Sequence, residues 1–276
     1  MTEPGSEKLE SSHDEGVKGI LEYLNAFRKH KGTFAYPRFE TLDLSDHHRI
    51  MILSPHPDDD VIGCGGVIRK AVQNGAEIKV VYLTDGRFGN NSYSEEELVK
   101  VRKGEALDGL RVLGCGDAVF FDNPDMGLQA DEKNIDRLHA LLEEYRPTAL
   151  FIPSFHEMPP DHQITAHLAA HALRRFEGDI QCYGYEVWVP LIPTILVDIT
   201  DVIETKVEAI RQHRSQVAIS DYSVKIKGLN SYRSMYARKG VEYCEAFTHH
   251  NRAEYLELAN TLGVFPEGEG SMAKSL

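Results

Sequence analysis

The chain has 276 residues, of which 42% are hydrophobic and 26% are charged, a composition that is ordinary for a globular protein. Its formal net charge of -13 argues against binding of nucleic-acid phosphates, because such binding needs a basic surface. No stretch approaches the roughly 18 consecutive apolar residues of a membrane-spanning helix. The four cysteines are scattered without a CxxC pair, which favours reduced thiols in a cytoplasmic protein and disfavours a sulfur-ligated metal.

The composition along the chain predicts one domain between two poorly ordered ends. Residues 1–16 are rich in Glu, Ser and Asp and lack the apolar core of a signal peptide, so we expect a disordered lead-in. No internal repeat and no Pro- or Gly-rich linker interrupts residues 17–265, which predicts a single domain. Residues 266–276 are predicted to form a frayed tail.

Short apolar runs alternate with stretches of helical periodicity along this domain. The predicted elements are, in chain order, strand 49–54, helix 61–74, strand 78–83, helix 94–112, strand 118–121, helix 135–145, strand 149–152, helix 162–176, strand 195–199 and helix 201–216. Residues 220–243 are predicted as a loop followed by a helix that covers a ligand site. Continuous apolar strands alternating with helices predict an α/β fold, a Rossmann-like and mostly parallel sheet with helices on both faces.

The segment directly after the first predicted strand carries the most chemistry. It reads Ser54-Pro-His56-Pro-Asp58-Asp59-Asp60. In open α/β sheets, ligands bind beyond the carboxyl ends of the strands, so these side chains stand where chemistry is expected. Histidine and aspartate are suitable ligands for zinc and leave a position open for water. The segment therefore predicts part of a metal site, with a third ligand from elsewhere in the chain.

Asp161-His162 is the best source of that ligand. It follows the strand that ends at Pro153 and again opens a helix, and two such loops can meet at one edge of a sheet. His56, Asp59 and His162 then form a site of two histidines and one carboxylate. Asp58 is left beside the metal-bound water, where a general base is required.

Other interpretations of these residues remain open at this point. Aspartates before a helix could simply be N-caps, and a lone histidine near a helix start is usually structural. The following Gly63-Cys-Gly-Gly66 does not have the GxGxxG spacing of a dinucleotide site, so close packing of helix on strand is favoured. The combination of His, Pro and carboxylates at two matching loops favours the metal site.

These motifs resemble the LmbE-like (PIG-L) family of zinc-dependent N-deacetylases. The resemblance starts with His-Pro-Asp-Asp after a strand and continues with Leu83-Thr-Asp-Gly86 after the next one. It extends through Arg102-Lys-Gly-Glu105, Pro124-Asp125-Met-Gly127 and Pro160-Asp161-His162, and covers about residues 48 to 250. The His-Pro-Asp-Asp segment is the specific marker, and the other motifs support it.

The resemblance implies a role for each matching position. It implies Zn²⁺ on the three ligands already named and Asp58 as the base that deprotonates the zinc water. It also implies that Arg102 and Asp125 contact the sugar of the substrate. Without the resemblance, Arg102 would be interpreted as a surface arginine of a charged helix and Asp125 as a turn residue.

One position departs from the family pattern. Relatives often have His-Pro-Asp-His, and the first histidine helps to stabilise the oxyanion, whereas this chain has Pro159 there. Loss of an oxyanion donor costs about 2.7–4 kcal/mol of transition-state stabilisation. His156, three residues upstream in the same loop, is predicted to replace it.

The sequence therefore predicts a zinc-dependent hydrolase that removes an acyl group, expected to be acetyl, from an N-acyl amino sugar or glycoconjugate. Two alternatives remain: an amidase acting on a thiol conjugate or acylated natural product, and a zinc-binding protein with weakened catalysis. The expected partner is a small molecule, with no nucleic acid and no transmembrane segment. A homo-oligomer remains open.

Overall fold

The computed structural model describes residues 40–41 and 44–265, so the predictions for residues 1–16 and 266–276 lie outside the described residues. The strands are Glu40–Thr41 (β1), Arg49–Ser54 (β2), Glu77–Thr84 (β3), Asp117–Asn123 (β4), Ala149–Pro153 (β5), Gln181–Tyr185 (β6), Ile195–Asp198 (β7) and Cys244–Asn251 (β8). The α-helices are Asp59–Gln73 (α1), Glu95–Leu113 (α2), Glu132–Tyr145 (α3), Pro160–Arg175 (α4), Ile203–Arg211 (α5), Arg214–Val217 (α6), Tyr222–Arg233 (α7) and Arg252–Thr261 (α8).

An eight-stranded sheet runs through the molecule in the order β1-β7-β8-β6-β5-β2-β3-β4. Strand β8 runs antiparallel to both of its neighbours, and the other pairs are parallel. The predicted α/β fold with a mostly parallel sheet is confirmed. The chain proceeds from β2 outward to β3 and β4, then returns to place β5 on the opposite side of β2. The topological switch point, where open α/β sheets bind ligands, therefore lies between β2 and β5.

The apolar side chains of the sheet divide between two cores. In β2, Ile50 and Ile52 belong to the core under α1, α2 and α5, whereas Met51 and Leu53 belong to the core under α3, α4 and α8. This alternation follows from the two-residue side-chain period of a strand. Because β2 is buried on both faces, its sequence is continuously apolar, which is why it could be recognised.

The C-terminal third differs from the predicted elements. The single helix expected over 201–216 is two helices, α5 and α6, because the backbone at His213 leaves helical geometry with ψ of 59°. Strands β6 and β8 and helix α8 were not predicted. Helix α7 occupies the first half of 220–243, and Val241 and Tyr243 lie in the irregular segment that leads into β8.

Two features bear on the expected environment of the chain. No helix in the described ranges is long and apolar enough to cross a membrane. The four cysteines are all free thiols, and Cys64, Cys182 and Cys244 are buried.

The glycines of α1 allow this helix to approach the sheet closely. A Cβ on Gly63 would lie 2.4 Å from the ring of Tyr185, and one on Gly66 would lie 2.4 Å from the side chain of Ile199. The backbone N–H of Gly66 also donates to the buried carboxylate of Glu245 over 2.7 Å. The packing interpretation of this glycine-rich segment is therefore confirmed.

Substitution of Gly63 tests this close contact. The ring of Tyr185 cannot shift freely, because it is buried and its hydroxyl donates to the Leu53 carbonyl over 2.7 Å. We expect Gly63→Ala to lower the free energy of unfolding by about 1–3 kcal/mol, the usual cost of overpacking. Gly104→Ala is the matched control, since Gly104 is an exposed residue of α2 with no atom near its would-be Cβ. It should raise the free energy of unfolding by about 0.5–1 kcal/mol. Equal effects of the two variants in chemical denaturation would contradict this account.

Candidate functional site

Two loops meet at the switch point and carry the predicted metal ligands. His56 follows β2, and Asp59 is the first residue of α1. His162 lies in the first turn of α4, the helix that follows β5. Pro160 is the first residue of this helix, a position where proline is favoured because the N–H it lacks would have no helical partner. The loops therefore place two histidines and an aspartate from distant parts of the chain at one point.

Three side-chain atoms converge there in a nearly regular triangle. Oδ2 of Asp59 lies 3.1 Å from Nδ1 of His56 and 3.1 Å from Nε2 of His162. The two imidazole nitrogens are 3.3 Å apart. The described residues thus contain a His/Asp/His cluster that could hold a metal ion. His162 and Asp59 are buried, and His56 is partly open to solvent.

The charged groups of the cluster shift one another's pKa values strongly. Burial by itself would lower the pKa of His162, but the carboxylates of Asp59 and Glu157 together outweigh burial and raise it to about 9. The pKa of His56 is raised well above its usual value, because hydrogen bonds to Asp125, Asp161 and Asp59 likewise outweigh burial. Burial would raise the pKa of Asp59, but the two histidines hold it far below its usual value. The metal-free site therefore stores protons that a cation would displace.

Two further carboxylates stand behind His56. Its Nε2 lies 3.2 Å from Oδ1 of Asp125 and 3.3 Å from Oδ2 of Asp161. Asp161 is held in turn by the backbone N–H groups of Met126 and Leu128, at 2.7 and 3.2 Å. A carboxylate behind a metal-binding histidine fixes the ring orientation and makes the ring more basic. Asp125 thus contacts a predicted ligand, a contact that the sequence did not indicate.

The three consecutive aspartates after His56 have different surroundings. Asp58 occupies the N-cap position of α1, yet its side chain makes no capping hydrogen bond. Its Oδ1 instead accepts a hydrogen bond of 2.9 Å from the guanidinium of Arg102. Asp60 is fully buried and accepts the hydroxyl proton of Tyr82 over 2.9 Å, a structural contact between α1 and β3. The N-cap interpretation of the Asp58 side chain is therefore wrong.

A cavity of about 480 Å³ opens over this cluster. Its wall is formed by the two ligand-bearing loops, by the segments after β4 and β6, and by side chains of α2, α6 and α7. Its lining includes His56, Asp58, Asp59, Arg102, Asp125, Pro159, Val187, Trp188, Gln216, Tyr222 and Lys225. Helix α7 thus forms part of the cavity wall, which agrees with the covering helix predicted within 220–243.

The structure places most of the predicted site residues together, with one exception. Arg102 is not a surface residue of α2, since it is only 3% exposed and faces the cavity beside Asp58. Pro159 borders the cavity where relatives often have a histidine. His156 does not border it, and its Nδ1 is 2.7 Å from the Ser154 hydroxyl. Its catalytic role stays a prediction that this geometry does not favour.

Several residues of the site were not found from the sequence. Glu157 is fully buried behind His162, and Trp188, Gln216 and Tyr222 line the cavity. None belongs to a short motif with the others, and each reaches the site through packing of elements far apart in the chain. Only the covering helix predicted within 220–243 indicated this region, and that prediction did not single out Tyr222.

The fold and site together define an α/β protein with a metal-binding cluster at the switch point of its sheet. Residues 51–173 match the PIG-L family, described as GlcNAc-PI de-N-acetylase. Residues 51–173 thus resemble a PIG-L family domain, and the resemblance drawn from the motifs is confirmed over this part of the chain.

Comparison with individual proteins agrees with this assignment. The chain is 28% identical over 193 residues to a diacetylchitobiose deacetylase of Thermococcus kodakarensis, covering 62% of this chain and 71% of that protein. The structure of an N,N'-diacetylchitobiose deacetylase from Pyrococcus horikoshii superposes with a TM-score of 0.70 and 26% identity, covering 88% of this chain and 94% of that one. A 4-oxalmesaconate hydratase of Pseudomonas putida is 25% identical over 213 residues, or 67% of this chain and 81% of that protein.

Removal of either histidine ligand should abolish metal retention. We expect the wild-type protein to carry about one divalent metal ion per chain and His56→Ala and His162→Ala to lose it on dialysis, because two ligands do not hold such an ion. Elemental analysis of the dialysed proteins measures this. His167→Ala is the matched control, a partly buried histidine on α4 outside the cluster, and should keep its metal. Full metal content in both ligand variants would show that the cluster is not the site.

Metal affinity should increase with pH. Because the pKa of His162 is raised to about 9 in the metal-free protein, its ring is protonated at neutral pH and must lose that proton to bind a cation. The apparent association constant should therefore increase between pH 6 and pH 9, by up to about tenfold per pH unit for each proton released. Chelator competition across this range measures the slope. An affinity independent of pH would contradict the proton-storing cluster.

Proposed function

We propose that this protein is a zinc-dependent amidohydrolase that releases acetate from an N-acetylated amino sugar or glycoconjugate. The observation that carries the proposal is the position of Asp58. It lies beside the metal cluster on the cavity wall, bonded to Arg102 and free of the helix-capping bond that its sequence position would otherwise explain. A purely structural metal site has no use for such a carboxylate, whereas hydrolysis requires one.

Zinc fits the donor set better than magnesium does. Tetrahedral zinc with bonds of about 2.0–2.1 Å separates its ligand atoms by about 3.3–3.4 Å. Octahedral magnesium with the same bond length separates adjacent ligands by only about 2.8–3.0 Å and prefers oxygen. The separations of 3.1, 3.1 and 3.3 Å lie between these two geometries, and the two imidazole nitrogens favour zinc over magnesium.

The chemistry follows from the residues around this centre. When bound, zinc would polarise the amide carbonyl and make a water molecule more acidic. Asp58 accepts a proton from the attacking water, whose oxygen forms the new bond to the carbonyl carbon. The carbon–nitrogen bond then breaks, the amine leaves with that proton, and acetic acid remains, which loses its hydroxyl proton to become acetate. Arg102 holds Asp58 in place through the hydrogen bond of 2.9 Å and keeps its carboxylate directed at the cavity.

The negative oxygen formed during the attack needs a hydrogen-bond donor from another residue, because Pro159 has neither a backbone N–H nor a polar side-chain group. Tyr222 lines the cavity, and its hydroxyl makes no hydrogen bond to the residues that the structure describes. Burial, with the nearby Asp58 charge, raises the pKa of Tyr222, so the hydroxyl keeps the proton that it would donate. We therefore favour Tyr222 over His156, which was predicted from the sequence but lies off the cavity wall.

Sugar recognition fits the rest of the cavity. Arg102 and Asp125 offer a donor and an acceptor for hydroxyl groups near the metal, the roles that their motif positions imply. Trp188 is 52% exposed at the cavity and presents a flat apolar surface to a sugar ring. Activity in the cytoplasm is part of the same proposal and is supported by the four free thiols.

Other reactions on this site remain distinguishable by their products. The related hydratase shows that a similar chain can carry a different activity. An amidase for thiol conjugates or acylated natural products would also use the Asp58 centre but would reject simple N-acetyl sugars. Release of acetate in equal amounts with a free amine from N-acetylglucosamine compounds therefore separates the proposal from each alternative.

Substitutions of the two adjacent aspartates separate catalysis from metal binding. Asp58→Asn keeps the size of the side chain but cannot accept a proton, so we expect normal zinc content and a rate of acetate release lowered about 10²–10⁴-fold. Asp59→Asn should lower zinc affinity instead, with activity partly restored by added zinc. Metal analysis and an acetate assay on the same samples measure both. Full activity of Asp58→Asn would rule out its role as the base.

Two single variants decide which residue stabilises the oxyanion. We expect Tyr222→Phe to lower kcat by about 10²–10³-fold with little change in KM, because its contact would form mainly in the transition state. His156→Ala should leave kcat within a few-fold of the wild-type value. A large loss of kcat in His156→Ala with none in Tyr222→Phe would reverse the assignment in favour of the sequence-based prediction.

A further inference from the structure

Glu157 gathers three consecutive backbone donors from a distant segment. It is fully buried in the loop between β5 and α4. Its Oε1 accepts the N–H groups of Val187 and Val189, at 2.8 and 3.2 Å. The N–H of Trp188 lies 3.2 and 3.1 Å from Oε1 and Oε2. One buried carboxylate therefore holds the backbone of residues 187–189, a segment that we name the tryptophan loop.

The same carboxylate faces a metal ligand on its other side. Oε2 of Glu157 lies 3.4 Å from Nδ1 of His162. This Nδ1 is buried and makes no hydrogen bond of ordinary length within the described part of the chain. The opposite nitrogen, Nε2, is the one that meets Asp59 in the metal cluster. Glu157 is therefore the carboxylate within reach of a proton on Nδ1.

The tryptophan loop is in turn a wall of the cavity. Val187 and Trp188 both line it, and the Trp188 ring stands edge-on to the ring of Tyr222 at a centroid distance of 6.1 Å. One carboxylate therefore connects a metal ligand to the surface that would receive the substrate. A helix cap or a surface ion pair would not need this double contact.

We propose that Glu157 is a positioning residue that couples metal binding at His162 to the order of the tryptophan loop. The proposal rests on the metal site of the proposed function and adds its regulation. A cation on Nε2 fixes the ring proton on Nδ1 and makes it a stronger donor, and Glu157 is the acceptor. The hydrogen bond from His162 then fixes the carboxylate that holds the loop. By thermodynamic reciprocity, a sugar bound against Trp188 strengthens metal retention.

The chain offers a built-in reporter for this coupling. Trp188 is its one tryptophan, so intrinsic tryptophan fluorescence reports on the loop alone. Zinc added to the metal-free wild-type protein, without any substrate, should change the fluorescence. The change should saturate at the same zinc concentration that chelator competition gives for binding.

Glu157→Gln separates the two contacts of this residue. The amide oxygen can still accept the three backbone N–H groups, which turns the NH₂ group towards the Nδ1 proton of His162, donor against donor. We expect zinc affinity to fall about 10–100-fold. At saturating zinc the fluorescence change should shrink to less than half of the wild-type change. Glu157→Asp is the second variant, since its shorter carboxylate cannot span both contacts, and it should also lose the zinc-dependent change.

Glu105→Gln is the matched control. Glu105 is a buried carboxylate that accepts the backbone N–H and the hydroxyl of Ser215, beside the cavity residue Gln216, and it is outside the cluster. Its variant should keep wild-type zinc affinity and the full fluorescence change. Wild-type values in a folded Glu157→Gln or Glu157→Asp protein would overturn the coupling and leave the proposed function standing. Absence of zinc binding by the wild-type protein would overturn both.

Discussion

The site is arranged around the contacts that the Asp59 carboxylate makes with two histidines. Its Oδ2 accepts the backbone N–H of His56 over 2.9 Å and meets one imidazole nitrogen from each of the two histidines. These histidines follow β2 and β5, the two strands between which the chain order reverses. Only at such a switch point do two loops diverge from the same sheet edge and leave a crevice between them. The topology thus creates the crevice, and Asp59 brings the loops together within it.

Each buried carboxylate of this crevice is compensated by histidine side chains, by backbone N–H groups, or by both. Asp59 is opposed by the two histidines, Asp161 by two backbone N–H groups and His56, and Glu157 by three backbone N–H groups and His162. Burial of an unpaired carboxylate would be strongly destabilising, so each of these carboxylates depends on its partners. Protons on the histidines balance the charge in the metal-free protein, and a divalent cation can replace them.

Features that depend on a local sequence pattern could be predicted, whereas features that depend on tertiary packing could not. The strand predicted over 49–54 and the helix predicted over 94–112 rest on local patterns, and the structure has both. Strand β6 was missed because Gln181 and Gly184 interrupt its apolar run. A covering helix within 220–243 could be predicted, but nothing in the sequence singles out Tyr222 or Trp188, since each reaches the cavity only through the packing of α7 and the tryptophan loop.

We propose that two imidazole nitrogens and one carboxylate oxygen hold a zinc ion at this switch point. X-ray absorption at the zinc edge, on protein loaded with one equivalent, measures those ligands directly. We expect nitrogen and oxygen ligands at about 2.0–2.1 Å from the zinc, with scattering from two imidazole rings and no sulfur. Loss of one imidazole contribution in His162→Gln would identify the second ring. A sulfur ligand at about 2.3 Å, or two imidazole rings retained in that variant, would contradict this set of ligands.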